Sequence, residues 1–112
     1  MSRLPRAGSA RIDDAKIRDY LLRPDHPIGA PKAAFFASFR FSQTNWLDLK
    51  RALLDHPHAN PVARRTTSPY GEKYAVSCSL RTPDGRNPCV RSVWLVERFD
   101  PDPRLVTAHP GP

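Results

Sequence analysis

The sequence predicts an α+β fold in which about three N-terminal helices pack on one face of an antiparallel sheet of about four strands, leaving the other face polar and open. Two observations carry this. Up to residue 54, apolar residues recur at helical spacing between Pro- and Gly-rich breaks. From Tyr70 to Arg98, the runs Lys73–Leu80 and Cys89–Val96, rich in Val, Tyr and Trp, flank Pro83-Asp84-Gly85. That tripeptide supplies a fixed φ, a side chain that bonds its own backbone and a residue tolerant of positive φ, which makes a β-hairpin.

In chain order, residues 1–11 are polar and basic, contain Pro5 and Gly8, and read as a loose N-terminal arm; residues 12–110 read as a single domain. Asp13 is placed to cap a helix through Leu22, with Ile17 and Leu21 on one face and Tyr20 beside them, stopped by Arg23-Pro24. Residues 25–31 are turn chemistry. Residues 32–39 form a second helix in which Phe35, Phe36 and Phe39 make a wedge of rings to be buried, with Pro31 in the first turn. Thr44 caps a third helix over residues 45–54, where Trp46, Leu49 and Leu53 form a stripe widened by Leu47 and Leu54. Asp55-His-Pro-His ends it.

Residues 62–67 are an Arg-rich edge strand, and residues 73–82 and 88–98 are the hairpin arms. The first arm alternates cleanly, with Tyr74, Val76, Cys78 and Leu80 on the packed side. The second is apolar on both sides and belongs nearer the centre. Asp100-Pro-Asp-Pro103 is a rigid turn, and residues 104–109 are the last strand.

The 18 Lys and Arg against 11 Asp and Glu give a net charge of +7, shared between the halves. A field of that sign over the whole domain favours acidic partners, nucleic acid first. Fourteen of the 18 cations are Arg, a bias that a GC-rich genome also produces. With no long apolar run there is neither a signal peptide nor a membrane span, so the expected location is cytoplasmic, with secretion only by another route. Cys78 and Cys89 lie on opposite hairpin arms, where a bridge is geometrically conceivable; two cysteines make no disulfide framework, and two reduced thiols near a buried face are expected.

No zinc spacing and no phosphate-cradling glycine run occurs, and His56-Pro57-His58 reads as loop histidines, so no metal and no cofactor is expected. Metal-free RNA cleavage needs neither, because the substrate's own 2′-hydroxyl is the nucleophile. The protein supplies a base, an acid and cations for the phosphorane. On the polar sheet face the candidates are His109 as acid or base, Thr107 as a hydrogen-bond donor, and a second proton carrier from His58, His56 or Lys73. Arg64, Arg65 and Arg81 stand for phosphate and Tyr70 for substrate at the mouth of the hairpin. The plainer reading, ordinary solvent-facing strand residues, stays open. So does a non-catalytic binding module that recognises a protein or nucleic acid, and the edge at residues 62–67 leaves room for a homodimer or a partner strand.

The series Lys16-Ile-x-Asp-Tyr-Leu-Leu, His26-Pro-x-Gly-x-x-Lys-Ala-x-Phe-Phe, Tyr70-Gly-x-Lys-Tyr, Thr82-Pro-x-Gly-Arg, Val93-Trp-Leu and Leu105-Val-Thr-Ala-x-Pro is similar to a family of small bacterial domains of unknown function. Such domains stand alone or end large secreted proteins of the polymorphic-toxin kind. The helix-then-sheet order and the Val-Thr-Ala-x-Pro ending resemble the barnase, EndoU, colicin and RelE group of metal-independent ribonuclease toxins. The resemblance implies an RNA-cleaving toxin or effector domain, RNA as partner and a cognate inhibitor protein. The alternative within the same setting is an immunity or antitoxin-like protein. Two positions depart from the familiar pattern: His109 stands where Tyr precedes the final Pro, and Arg40 stands where a Gly precedes Phe41.

Overall fold

A computed structural model describes residues 2–111. Three helical segments lead into an antiparallel four-stranded meander of order β1-β2-β3-β4. Helix α1 (Asp14–Lys16) runs directly into a π-helical turn (Ile17–Leu21), followed by α2 (Ala30–Ala37) and α3 (Trp46–Ala59). The strands are β1 (Val62–Ser68), β2 (Gly71–Ser79), β3 (Cys89–Glu97) and β4 (Asp100–Pro110). Helices and sheet close on one core. Ile17, Leu21, Phe36, Leu49 and Leu53 from the helical layer meet Val76, Val90, Trp94, Leu105 and Ala108 from the sheet, all of them buried.

The N-terminal arm is held rather than loose. Val62 N–H donates to the Ser2 carbonyl at 2.9 Å, Leu4 is buried, and Arg11 pairs with the outer edge of β4 through bonds to Pro103 and Leu105. Burying an apolar side chain and filling unpaired sheet edges outweigh the polar composition on which the loose reading rested. Asp13 does occupy the N-cap position of α1, but its side chain makes no capping bond. The wedge of rings is shallower than expected: Phe36 is fully buried, while Phe35 packs edge-on against both Phe36 and Phe39, and Phe35 and Phe39 stay partly exposed. Leu47 is exposed on α3 and does not widen its apolar face.

Helix α3 departs most from expectation. It starts at Trp46 after Asn45, whose side chain bonds Ser42 and Arg40 instead of capping, and it runs on to Ala59 through Pro57. A proline inside a helix forfeits one backbone hydrogen bond. Here buried contacts compensate, because Pro57 is enclosed and His56 is buried against the sheet. His56 Nε2–H donates to the Cys78 carbonyl at 2.8 Å, and His56 Nδ1 receives the Ser92 hydroxyl at 2.7 Å. Trp94 Nε1–H in turn donates to Ser92 Oγ at 2.8 Å. The Cys78 carbonyl can only accept, so Nε2 carries a proton, and burial, which disfavours the charged ring, leaves Nδ1 as the acceptor.

The hairpin turn is built as its residues suggest. Gly85 has φ of 77° and its N–H donates to the Thr82 carbonyl, while Asp84 accepts from Thr82 Oγ1 and from Arg86 N–H. Burial raises the Asp84 carboxyl, but the Thr82 and Arg86 bonds outweigh it and bring the pKa down to about 2. Residues 100–103 are not a separate turn; they open β4, where prolines are tolerated at a sheet edge. Cys78 and Cys89 form a disulfide, not two thiols. The register pairs Cys78 with Val90 and Cys89 with Ser79, one residue out of step, yet where the two arms end the Cα atoms come within 4.2 Å and the sulfurs meet.

Candidate functional site

Directly paired residues of a sheet share a face. Tyr74, Val76, Ser92, Trp94, Leu105 and Ala108 look toward the helices. The opposite face carries three ranks across the strands. The first runs Thr66, Lys73, Leu95, Arg104; the second Arg64, Ala75, Val93, Thr107; the third Ser77, Arg91, His109. Arg91 Nε–H donates to Ser77 Oγ at 3.1 Å within the third rank.

The residues singled out from the sequence do not all meet. Thr107 and His109 project from the open face two residues apart, and Lys73 and Arg64 share that face. By strand spacing, Lys73 stands about 12 Å from Thr107 and about 16 Å from His109 between Cα atoms. Arg65 is on the helix side, over the Tyr74 ring at 5.4 Å and paired with Glu72. Period-two alternation separates it from Arg64. Arg81 and His58 lie together elsewhere, in a hollow with Asp55 and Asn87 at the end of β2 that points away from Lys73. Eight residues of extended chain put Arg81 about 26 Å from Lys73. His56 is withdrawn from solvent, and that burial holds its pKa below the ordinary histidine value. Both of its ring nitrogens are engaged inside the core, by Ser92 and the Cys78 carbonyl. His109 Nδ1 bonds the Pro110 carbonyl at 3.0 Å, which requires a proton on Nδ1; in the neutral ring Nε2 is then the acceptor.

A tighter grouping forms where the π-helical turn passes the flank of β4. Tyr20 in that turn has the Lys16 and Lys32 ammonium groups 5.1 and 5.3 Å from its ring centroid. His26 packs edge-on against the ring at 5.1 Å. His26 is itself oriented, because its Nδ1 accepts from the N–H groups of Ile28 and Gly29. Gly29 has to be glycine here, since a Cβ would lie 2.5 Å from the Tyr20 carbonyl. Across from the phenol, Thr107 Oγ1 is shielded from solvent and has no hydrogen-bond partner in acceptable geometry among the described residues. Lys32 beside the hydroxyl is the main reason the Tyr20 pKa lies below 10.0. Burial opposes it, and the nearby Thr107 with the charges of Lys32 and Lys16 adds to it.

Lys16 links this cluster to a hollow of about 280 Å³ that it lines with Asp13, Tyr70, Lys73 and Arg104, over the nearly buried Leu95. Three of the chain's four lysines therefore gather in one place, the fourth, Lys50, pairing with Asp14. Chemically, the arrangement offers an acidified phenol, compact cations, an unsatisfied hydroxyl and, one rank on, a histidine whose Nε2 accepts in the neutral ring. Among the described residues, no three His, Cys, Asp or Glu side chains are grouped to hold a metal ion, and no helix is long and apolar enough to cross a membrane.

Lys16, Tyr20, Lys32 and Arg91 are absent from the sequence-derived site because the first three read as helix residues and the last as a strand residue. A signal was available in two forms. Lysine is scarce in this Arg-rich chain, and Lys16, Tyr20, His26 and Lys32 are among the residues that carry the family resemblance.

Helices laid on one face of a four-stranded antiparallel meander define the class of fold. A chain of the contact-dependent growth inhibition toxin–immunity protein complex from Klebsiella pneumoniae 342 has it too. Its TM-score is 0.71 at 16% sequence identity, over 89% of this chain and 98% of that one. At that identity the likeness establishes the shared fold. No curated protein matches in sequence. The chain belongs to DUF6883, a family described as a domain of unknown function, which matches residues 3–112.

Proposed function

We propose that the domain cleaves RNA without a metal ion at the open sheet face, as a toxin or effector. The observation that carries this is the Tyr20 phenol set between the Lys16 and Lys32 ammonium groups and beside the partnerless Thr107 hydroxyl. In this reading His109 Nε2 takes the proton of a ribose 2′-hydroxyl, whose oxygen attacks the adjacent phosphorus. Lys16 and Lys32 balance the phosphorane charge, and the shielded Thr107 hydroxyl beside the phenol orients Tyr20. Tyr20 gives its proton to the departing 5′-oxygen; a phenol of lowered pKa is the better acid. The products are a 2′,3′-cyclic phosphate and a 5′-hydroxyl. Lys73, Arg64 and Arg91 hold flanking phosphates. Toxins of this kind need a neutralising partner in the producing cell. The toxin–immunity complex that shares the fold supports a cognate inhibitor protein here.

The test is cleavage of a labelled RNA by the purified domain in the presence of a chelator. Expected are cyclic phosphate ends and a loss of at least a hundredfold in kcat for Tyr20→Phe and for His109→Ala, with circular dichroism unchanged. Lys32→Met should move the alkaline limb of the pH–rate profile upward, because it removes the main cause of the phenol's acidity. Binding of RNA without cleavage would leave the non-catalytic module. Cleavage indifferent to Tyr20→Phe would remove Tyr20 from the mechanism.

A further inference from the structure

The two turns at one end of the sheet expose aromatic rings that the reaction scheme does not use. Tyr70 in the β1–β2 turn is 74% exposed and Phe99 in the β3–β4 turn is 94% exposed. Both turns are braced. Ser68 Oγ donates to the Gly71 carbonyl and accepts from Tyr70 N–H, and Gly71, at φ of 143°, lies where a Cβ would come within 2.2 Å of the Val96 carbonyl. Asp102 N–H donates to Asp100 Oδ1 beside Phe99, and Asp100 also pairs with Arg11. Among the described residues neither ring packs on another aromatic side chain. Between them is a hollow of about 320 Å³ lined by Pro69, Tyr70, Glu97, Arg98, Phe99 and Asp100.

The charge of this hollow is what selects its occupant. Its two carboxylates are already engaged, Glu97 by Arg104 at 2.9 Å and Asp100 by Arg11, whereas Arg98 has no carboxylate partner among the described residues. Tyr70 also lines the hollow that holds Lys16 and Lys73, so its ring borders both the gap and these cations. A braced gap flanked by two aromatic rings beside a cationic track suits an unpaired base whose phosphate lies on that track. A protein partner would have no need of the continuity with Lys73.

We infer that Tyr70 and Phe99 form a base-stacking subsite that holds an unpaired nucleobase next to the phosphate track, making single-stranded RNA the substrate class. This rests on the RNA reading of the face and is tested so that the two can fail separately. The probes are a 2′-O-methyl adenylate hexamer, which lacks the nucleophile, and a hexamer of the same backbone without bases. They carry equal charge. The full chain should bind the base-bearing hexamer about tenfold or more tightly than the abasic one. Tyr70→Ala and Phe99→Ala should close that gap without weakening the abasic hexamer, and Phe99→Trp should keep it. Lys73→Ala should weaken both probes equally. A gap untouched by Tyr70→Ala and Phe99→Ala overturns the subsite while the RNA reading stands; that is also the result expected if the rings serve a protein. Failure of both hexamers to bind at low salt overturns the RNA reading and the subsite with it.

Discussion

Arg40 shows how much one residue can contribute to the local economy of this chain. It ends α2 at φ of 74°, and the bonds from Phe41 N–H to the Phe36 carbonyl and from Arg40 N–H to the Ala37 carbonyl form a Schellman cap. The rings of Phe36 and Phe41, 6.2 Å apart, supply the apolar contact that accompanies such caps. A side chain in the left-handed region costs about 1–2 kcal/mol. Arg40→Gly should therefore stabilise the domain by about 1 kcal/mol in urea unfolding, less any loss from the greater freedom of glycine in the unfolded chain. A stability unchanged or lowered would show that the Arg40 side chain compensates for its backbone. The departure from the familiar Gly was visible in the sequence; that the turn would be kept, rather than the helix extended, was not. Which way a residue bends depends on the burial of Phe41, a tertiary fact. Tyr20 was hidden for a similar reason. Helical spacing places it beside Ile17 and Leu21, but only the chain's path along β4 brings Lys32 and Thr107 to it.

At the scale of elements, the helix and strand order was legible because apolar periodicity and turn chemistry agree, most clearly in the hairpin around Asp84. The end of α3 was not. Asp55-His-Pro-His-Ala-Asn-Pro has the composition of a break, and the helix continues because His56 joins Ser92, Trp94 and the Cys78 carbonyl in one buried chain of bonds. That chain makes a pH prediction. Burial keeps the His56 pKa below 6.5 in the folded state, whereas the unfolded chain takes up a proton as pH falls through 6.5. Stability from this residue is thus complete above 6.5 and declines below it, by at most about 1.4 kcal/mol per pH unit. In urea unfolding between pH 8 and pH 5, wild type should lose more stability than His56→Gln. The variant itself should be weaker at pH 8 by about 1–3 kcal/mol, since Ser92 and the Cys78 carbonyl lose their partner. Equal pH slopes would mean that His56 does not distinguish the folded from the unfolded state.

For the whole molecule, the disulfide ties the end of the sheet that carries His109. Cys78 and Cys89 are 11 residues apart, and the Cys89 carbonyl accepts the Gly111 N–H at 2.9 Å, so the bridge braces β2, β3 and the final residues of β4 together. Closing a loop of that length in the unfolded chain is worth about 2–3 kcal/mol, or roughly 10–20 °C in melting temperature for a domain of this size. Reduction should lower the melting temperature of wild type by that amount and leave Cys78→Ser/Cys89→Ser unmoved by reductant. The loosening should also be uneven. Hydrogen exchange should quicken at Val90, Arg91 and His109, while the Tyr70 and Phe99 turns at the far end, held by Ser68, Gly71 and Asp100, keep their protection. If thiol titration shows both cysteines reduced and the melt has not shifted, the bridge contributes nothing to stability. Should the melt fall with protection lost evenly across the sheet, the domain unfolds as one unit and the bridge does not act locally on the His109 end.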